Sequence, residues 1–382
     1  MTTNILITCA KEMVPFLADE VSKLNYSVED KHKTGLIING TFEDCMNLNY
    51  NLRTAYNVYY ELMSFRCDHP DKLYKRIRGF DWSEILFEET YLCITSVADT
   101  PTIQNSMFLS LKTKDAIVDS IREKTGVRPN TGPDKDKAVV SIFWKDDQVW
   151  VYLNTSGRKL SDRNYRKIPL GAPLQEALAA GILQSFNYDG SKMLLNPMCG
   201  SGTLAIEAAL IALKKPAGSL KSSFGFQHTK LYDQDKWEAI KENSKESDTK
   251  KLPNKILASD ISEESIEYAK QNAKTAGVDH LIDFEVKDFN ELDIPEGEGD
   301  LVMNPPYGIR LGETEDLEPL YKSIGDFLKN KCKGKTGYIF TARNELMKKI
   351  RLKPSLKTVF LNGEIDCRLL KFEMYQGTKR IN

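Results

Sequence analysis

The stretch "NPMCGSGT", residues 196–203, decides the fold, and "NPPYG", residues 304–308, decides the chemistry. An apolar run, SKMLL, precedes the first, and an apolar helix pattern, GTLAIEAALIAL, begins inside it. That is a strand passing through a glycine turn directly into a helix. The same grammar repeats downstream. NKILASD, LIDFEV, GDLVMNPP and TGYIFTA read as buried strands ending in polar or turn residues, while SEESIEYAKQNAKTAG and EDLEPLYKSIGDFLKN read as helices. Ser262 is placed to cap the first of these helices and Gly277 to end it. Alternation of this kind predicts a doubly wound, mostly parallel α/β sheet of Rossmann-like type. The last run, LKTVFLNGEIDCRLLKFEMYQG, contains two strand patterns joined by Asn362-Gly363, so the sheet is expected to finish in an antiparallel hairpin.

Upstream of residue 190 the texture changes to short strands and amphipathic helices of an α+β kind. SLKTKDAIVDSIREKTGVRP reads as a helix with Leu111, Ala116, Ile117 and Ile121 on its apolar side and Gly126 as its stop. Residues 157–173 carry five bases, Arg158, Lys159, Arg163, Arg166 and Lys167, against one acid, Asp162, which reads as a basic linker. Residues 214–255 are highly charged and are read as an insertion, partly helical around DKWEAIKENS, at the edge of the later sheet.

At 382 residues the chain has room for two or three domains, and 41% hydrophobic with 28% charged residues is an ordinary folded composition. With 53 bases and 54 acids, a nucleic-acid surface has to come from patterning. Seven scattered cysteines without a C-x-x-C pair, and no secretory pattern, predict a reduced cytoplasm. The most apolar helix pattern carries Glu207 and is too short to span a bilayer, so no membrane is expected. The four histidines show no ligand spacing, so no metal is expected either.

The glycine turn lets backbone N–H groups approach a ligand where a Cβ would stand in the way, at Gly200 and Gly202. No Gly-Lys-Ser/Thr follows, which excludes a P-loop. Asp260, ending the second strand, is placed for the two hydroxyls of a ribose, with Ile261 next to it for the base. Asp288, after the third, is placed for an adenine amino group. Aspartates at strand ends also cap helices, and that reading competes for both. NPPYG is more specific. The Asn304 side-chain oxygen and the following carbonyl offer two acceptors to an exocyclic –NH2, Pro305 stiffens the turn, and Tyr307 offers a stacking face. Cys199 has no neighbouring histidine pattern and reads as a small packing residue.

These residues resemble the D/N/S-P-P-Y/F/W methyltransferases that use S-adenosylmethionine to modify exocyclic amines. Within them, NPMCGSGT, SDIS, NPPYGIRLGE and NGEIDCRLL resemble the bacterial ribosomal RNA guanine 2-amino methyltransferases. The resemblance implies a cofactor loop of Pro197, Cys199, Gly200, Gly202 and Thr203, further cofactor contacts at Asp260, Ile261, Asp288, Phe289 and Asn304, and a catalytic set of Asn304, Pro305 and Tyr307. IPLGAPLQEALAAGIL is similar to a helix that helps close the cofactor site in that family, adding Gln175 and Glu176. The first half resembles an RNA-binding THUMP module preceded by a ferredoxin-like segment, with departures at Asn154, Thr155, Ser161, Asp162 and Asn164. The expected domains are a ferredoxin-like segment at 1–60, a THUMP-like domain at 61–157, the linker at 158–170 and a methyltransferase domain at 171–382. Lys112, Lys114, Arg128, Arg158, Arg163, Arg166 and Lys167 are then candidate phosphate contacts.

The implied reaction moves a methyl from S-adenosylmethionine to the 2-amino group of a guanine in large-subunit ribosomal RNA, free or in an assembly intermediate. The motifs by themselves specify only an exocyclic amine. An adenine 6-amino group in RNA or DNA and a transfer RNA guanine stay open, as does a non-catalytic RNA-binding protein.

Overall fold

The computed structural model describes residues 2–103, 105–166, 174–244, 251–308, 316–342 and 344–375. Its residues fall into two compact units that the chain enters more than once. One takes residues 2–9, 17–162 and 217–244; the other takes 10–16 and the described residues of 163–216 and 251–375.

The first unit is built on a single eight-stranded sheet. Its strands are β1 (Thr3–Cys9), β2 (Asp30–His32), β3 (Gly35–Gly40), β4 (Ala55–Arg66), β5 (Tyr91–Asp99), β6 (Asn130–Thr131), β7 (Ala138–Lys145) and β8 (Gln148–Asn154), in the order β2-β3-β1-β4-β8-β7-β5-β6. β4 joins the ferredoxin-like and THUMP-like segments. Its first half pairs with β1 and its second with β8, so the two share one continuous sheet. The helices are α1 (Val14–Lys23), α2 (Phe42–Asn51), α3 (Pro70–Arg78) and α4 (Ser106–Thr125). α4 ends on Gly126 at φ +78°, as its sequence predicts. It buries Leu109, Ala116, Ile117 and Ile121, whereas Leu111, expected on that face, is half exposed. Residue 111 falls outside the arc that 109, 116, 117 and 121 sweep at 100° per residue.

The second unit carries the site. α5 (Glu176–Gln184) leads to β9 (Met193–Pro197) and α6 (Thr203–Ala212). The chain then leaves for the first unit, where α7 (Gln234–Asn243) lies against α2: Trp237 meets the ring of Tyr50 at 5.2 Å, Lys236 pairs with Glu43 at 3.0 Å, and the Phe226 N–H donates to the Thr155 carbonyl. Residues 217–244 of the charged segment, expected at the edge of the later sheet, therefore pack within the first unit. Phe224, Phe226 and Trp237 form a buried aromatic cluster that fastens it to the first unit and leaves its charges outside.

The second sheet continues with β10 (Ile256–Asp260), α8 (Glu263–Ala276), β11 (Ile282–Val286), β12 (Gly299–Met303), α9 (Glu318–Lys331), β13 (Lys335–Thr341), α10 (Asn344–Lys349), β14 (Leu356–Asn362) and β15 (Ile365–Glu373). Its order is β11-β10-β9-β12-β13-β15-β14, parallel from β11 through β13, and the predicted hairpin turns at Gly363, φ +63°. Strand order reverses direction between β9 and β12. That is the topological switch point where open α/β sheets bind ligands.

One buried acid gives this unit a pH signature. Asp300 on β12 is pushed up from 3.8 to about 6 by burial, with Asp189 and Glu298 adding to the shift and Lys192 and Lys371 opposing it. A carboxyl raised on folding contributes stability that is fully present below its unfolded value and is lost as pH rises through about 6. Asp300→Asn is therefore expected to raise stability at pH 7 by about 1–2 kcal/mol and to flatten its pH dependence between 4 and 6, read by denaturant melts across that range.

Candidate active site

The parallel strands bring four motifs to one edge. In sheet order these are Asp288 after β11, Asp260 at the end of β10, the glycine turn after β9, and Asn304 after β12. The turn is held by two successive residues of β10. The Cys199 N–H donates to the Ser259 carbonyl at 2.9 Å, and the Gly200 N–H donates to Asp260 Oδ2 at 2.9 Å. Asp260 Oδ1 also accepts from the Ser262 N–H at 3.0 Å, so this acid braces the loop from the end of β10. Asn196 is fully buried, and its amide donates to the Val302 carbonyl at 2.9 Å. An ionised aspartate cannot make that bond, so asparagine ties β9 to β12 directly.

The two glycines do different work. Gly200, at φ +54°, has nothing within 4 Å of where a Cβ would stand; Gly202, at φ +82°, would set a Cβ 3.0 Å from that of Ala269 on α8. Gly200 thus leaves open the cradle a cofactor needs, and Gly202 permits α6 to pack on α8. Gly200→Ala is expected to cost roughly tenfold or more in affinity for S-adenosylhomocysteine by calorimetry, with about 1 kcal/mol of stability from the left-handed backbone. Gly202→Ala is expected to show mainly in the melt, by about 2 kcal/mol.

The remaining cofactor residues divide as well. Ile261 is 72% exposed beside Asp260, in place to meet an apolar face. Asp288 accepts from the Asn290 N–H at 2.8 Å and so caps the following turn, the competing role foreseen for it. The ring of Phe289 does not face the site: it is buried in the core against Phe327 at 5.3 Å, leaving only its backbone for a ligand. Pro197 is buried, and burial with the Asp260 charge pushes the Cys199 thiol up, away from nucleophilic behaviour. Gln175 precedes α5, and Glu176 is buried and pairs with Arg166 at 3.4 Å.

At the other wall, Asn304 Oδ1 is buried without a hydrogen-bond partner among the described residues. Such an acceptor is costly unless a ligand donor completes it. Pro305 is buried and Tyr307 half-buried, its hydroxyl accepting from the Asn362 amide at 2.7 Å. Tyr321, buried on α9, donates to the Pro306 carbonyl at 3.3 Å and pairs with the Thr341 hydroxyl at 2.6 Å. Sequence reading did not single out Tyr321, Thr341 or the Asn362 side chain. Only the Asn-Gly turn signalled the last.

The basic candidates separate sharply. Arg163 is fully buried and paired with Glu207 of α6, whose other oxygen accepts from the Tyr165 hydroxyl at 3.1 Å. Arg166 donates to the Leu174 carbonyl at 2.7 Å and to Thr203 Oγ1 at 3.0 Å. Neither is a free phosphate contact. Both fasten residues 163–166 to the helix that opens the cofactor loop. Arg158 is half exposed and paired with Asp136, Lys112 pairs with Asp71 at 2.8 Å, and Lys114 with Asp115 at 3.0 Å. Arg128 is exposed. Lys167 lies outside the described residues.

A glycine turn, an acid ending the next strand and Asn-Pro-Pro-Tyr at the carboxyl edge of one switch-point sheet define a Rossmann-like methyltransferase of the S-adenosylmethionine-dependent class. The chain belongs to the family described as RMKL-like methyltransferase domain, which matches residues 163–371. An RlmL ferredoxin-like domain matches 4–59 and a THUMP domain 67–154. It is 34% identical to "Ribosomal RNA large subunit methyltransferase K/L" of Psychromonas ingrahamii over 97% of this chain and 50% of that one, and so spans about half the length of that relative. It is 30% identical to "Putative RNA methyltransferase slr0064" of Synechocystis over 98% of this chain and 97% of that one. The solved structure "SMU.472, a putative methyltransferase complexed with SAH" shares the fold, with a TM-score of 0.86 at 23% identity over 99% of each chain.

Proposed function

We propose that the protein methylates the exocyclic 2-amino group of a guanine in large-subunit ribosomal RNA, using S-adenosylmethionine. The observation that carries the amine chemistry is the buried Asn304 Oδ1 at the switch point, without a partner among the described residues and followed by the half-buried Tyr307. When bound, S-adenosylmethionine supplies a sulfonium-activated methyl group. The chain's own residues do the rest. Gly200 leaves room for the donor's tail, Asp260 steadies the loop and accepts ribose hydroxyls, and Ile261 covers the base. Asn304 Oδ1 accepts an N–H of the substrate amine, orienting its lone pair and favouring the positive charge that grows on nitrogen in transfer. Tyr307 stacks on the target base, which must leave its helix to reach the site.

RNA as the polymer is supported by the THUMP match and by the names of the ribosomal RNA relatives, and guanine as the base by the resemblance of NPMCGSGT and NPPYGIRLGE to the guanine 2-amino methyltransferases. Arg128, with Arg158, Lys112 and Lys114 once they exchange their acidic partners, supplies phosphate contacts on the first unit. The seven cysteines are free, in keeping with action in a reducing cytoplasm. The domain limits follow the proposed roles: RNA capture by residues up to 157, catalysis by those from 171 onward, with 217–244 joining the former.

The test is methyl incorporation from labelled S-adenosylmethionine into unmodified large-subunit RNA, transfer RNA and DNA in parallel. Label in large-subunit RNA is the expected result. Label confined to transfer RNA or DNA would move the substrate, and none anywhere with cofactor bound would favour a binding protein. Arg128→Glu is expected to weaken RNA binding by roughly three- to tenfold and to reduce its salt slope by about one, measured by titration at several salt concentrations.

A further inference from the structure

β14 is antiparallel to β15, which is antiparallel to β13, so β14 runs in the same direction as β12 and β13. The carboxyl ends of all three therefore lie on one edge of the sheet. Asn304 follows β12, Thr341 ends β13, and Asn362 ends β14. The antiparallel finish of this otherwise parallel sheet thus returns a polar side chain to the mouth of the site. Asn362 uses it on Tyr307, donating Nδ2–H to the phenol oxygen at 2.7 Å. In the sheet order β14 lies three positions from β12, so the Tyr307 side chain reaches along the carboxyl edge to be held at its far end.

The main chain of the same turn is braced independently by Tyr321 through the Pro306 carbonyl. The Tyr307 ring packs against the core of the second unit. A bond at the phenol oxygen, the atom farthest from the backbone, adds a directional restraint on χ1 and χ2 where the lever is longest. The Asn362-Gly363 turn, at φ +63° on the glycine, holds the asparagine at a defined register opposite Ile365.

We propose that Asn362 is a positioning residue: it sets the tilt of the Tyr307 ring, and through the ring the angle at which a stacked base presents its amine to Asn304. This role rests on the methyl-transfer reading above. Asn362 touches neither base nor cofactor in it.

The experiment is a double-mutant cycle with Tyr307→Phe, which removes only the hydroxyl, Asn362→Ala, and the pair together. Steady-state transfer to large-subunit RNA, S-adenosylhomocysteine affinity and thermal melting are measured for each, with the unaltered protein as reference. Each single variant is expected to lower kcat about tenfold, with cofactor affinity unchanged, and the pair to lose the same tenfold. A loss near a hundredfold in the pair would show that the two act separately and would overturn the role. So would an Asn362→Ala defect confined to melting temperature or cofactor affinity, which would leave it a brace of the hairpin. If the unaltered protein binds the cofactor and methylates no RNA, the reading beneath fails and the role with it. If it methylates and the cycle is additive, only the role fails.

Discussion

Asn304→Ala is expected to lower kcat by about a hundred- to a thousandfold while S-adenosylhomocysteine still binds and the melting temperature holds. The alanine removes one buried oxygen that has no partner among the described residues, so little folding energy is attached to it. What it removes is the acceptor that polarises and aims the substrate amine as its nitrogen takes up positive charge. An exocyclic aromatic amine shares its lone pair with the ring, so it needs that help more than an aliphatic amine. Asn304→Asp keeps an acceptor in the same place and is expected to stay within about tenfold of the unaltered rate. Near-normal turnover in the alanine variant would remove Asn304 from the reaction.

The second large effect is on stability. Arg163→Ala is expected to destabilise the methyltransferase unit by about 3–5 kcal/mol, because it leaves the Glu207 carboxylate buried without its countercharge. The melting midpoint should fall by roughly 10 °C. Replacing both partners by apolar residues of similar volume, Arg163→Met with Glu207→Leu, is expected to recover most of that loss. Arg158→Ala, removing a half-exposed arginine of the same basic run, should change stability by no more than about 0.5 kcal/mol. An RNA-binding defect in an Arg163 variant would accordingly be expected with unfolding, and one in an Arg158 or Arg128 variant without it.

Much of the methyltransferase unit was legible because its signals are local. Ser262 caps α8, accepting from the Ser265 N–H, and Gly277 closes it at φ +73°, both as read from the chain. Asn362-Gly363 marked the closing hairpin, and the strand-turn-helix around Gly200 marked the cofactor loop. What escaped depended on partners distant in sequence. Arg163 and Arg166 read as linker cations and candidate phosphate contacts because nothing beside them announces burial. The available clue was Glu207, a lone acid inside an apolar helix, which cannot be buried without a cation. The 214–255 segment read as a charged insertion at the edge of the later sheet for a similar reason. Its charges outnumber Phe224, Phe226 and Trp237, yet those three decide where it packs. Phe289 followed a motif acid and was assigned to the cofactor with it, but its apolar ring went to the core shared with Phe327. Cutting the chain near residue 160 would also divide both compact units, since residues 10–16 belong to the second and 217–244 to the first. Point substitutions are the sounder probe of each half.

The most direct test is the identity of the methylated nucleoside. Unmodified large-subunit RNA is incubated with the protein and labelled S-adenosylmethionine, digested to nucleosides and resolved by chromatography against standards. Label is expected in N2-methylguanosine, dependent on Asn304. Label in N6-methyladenosine would contradict the base assignment while keeping the acceptor chemistry, and label on a ring carbon or a ribose oxygen would contradict the central claim that Asn304 and Tyr307 present an exocyclic amine.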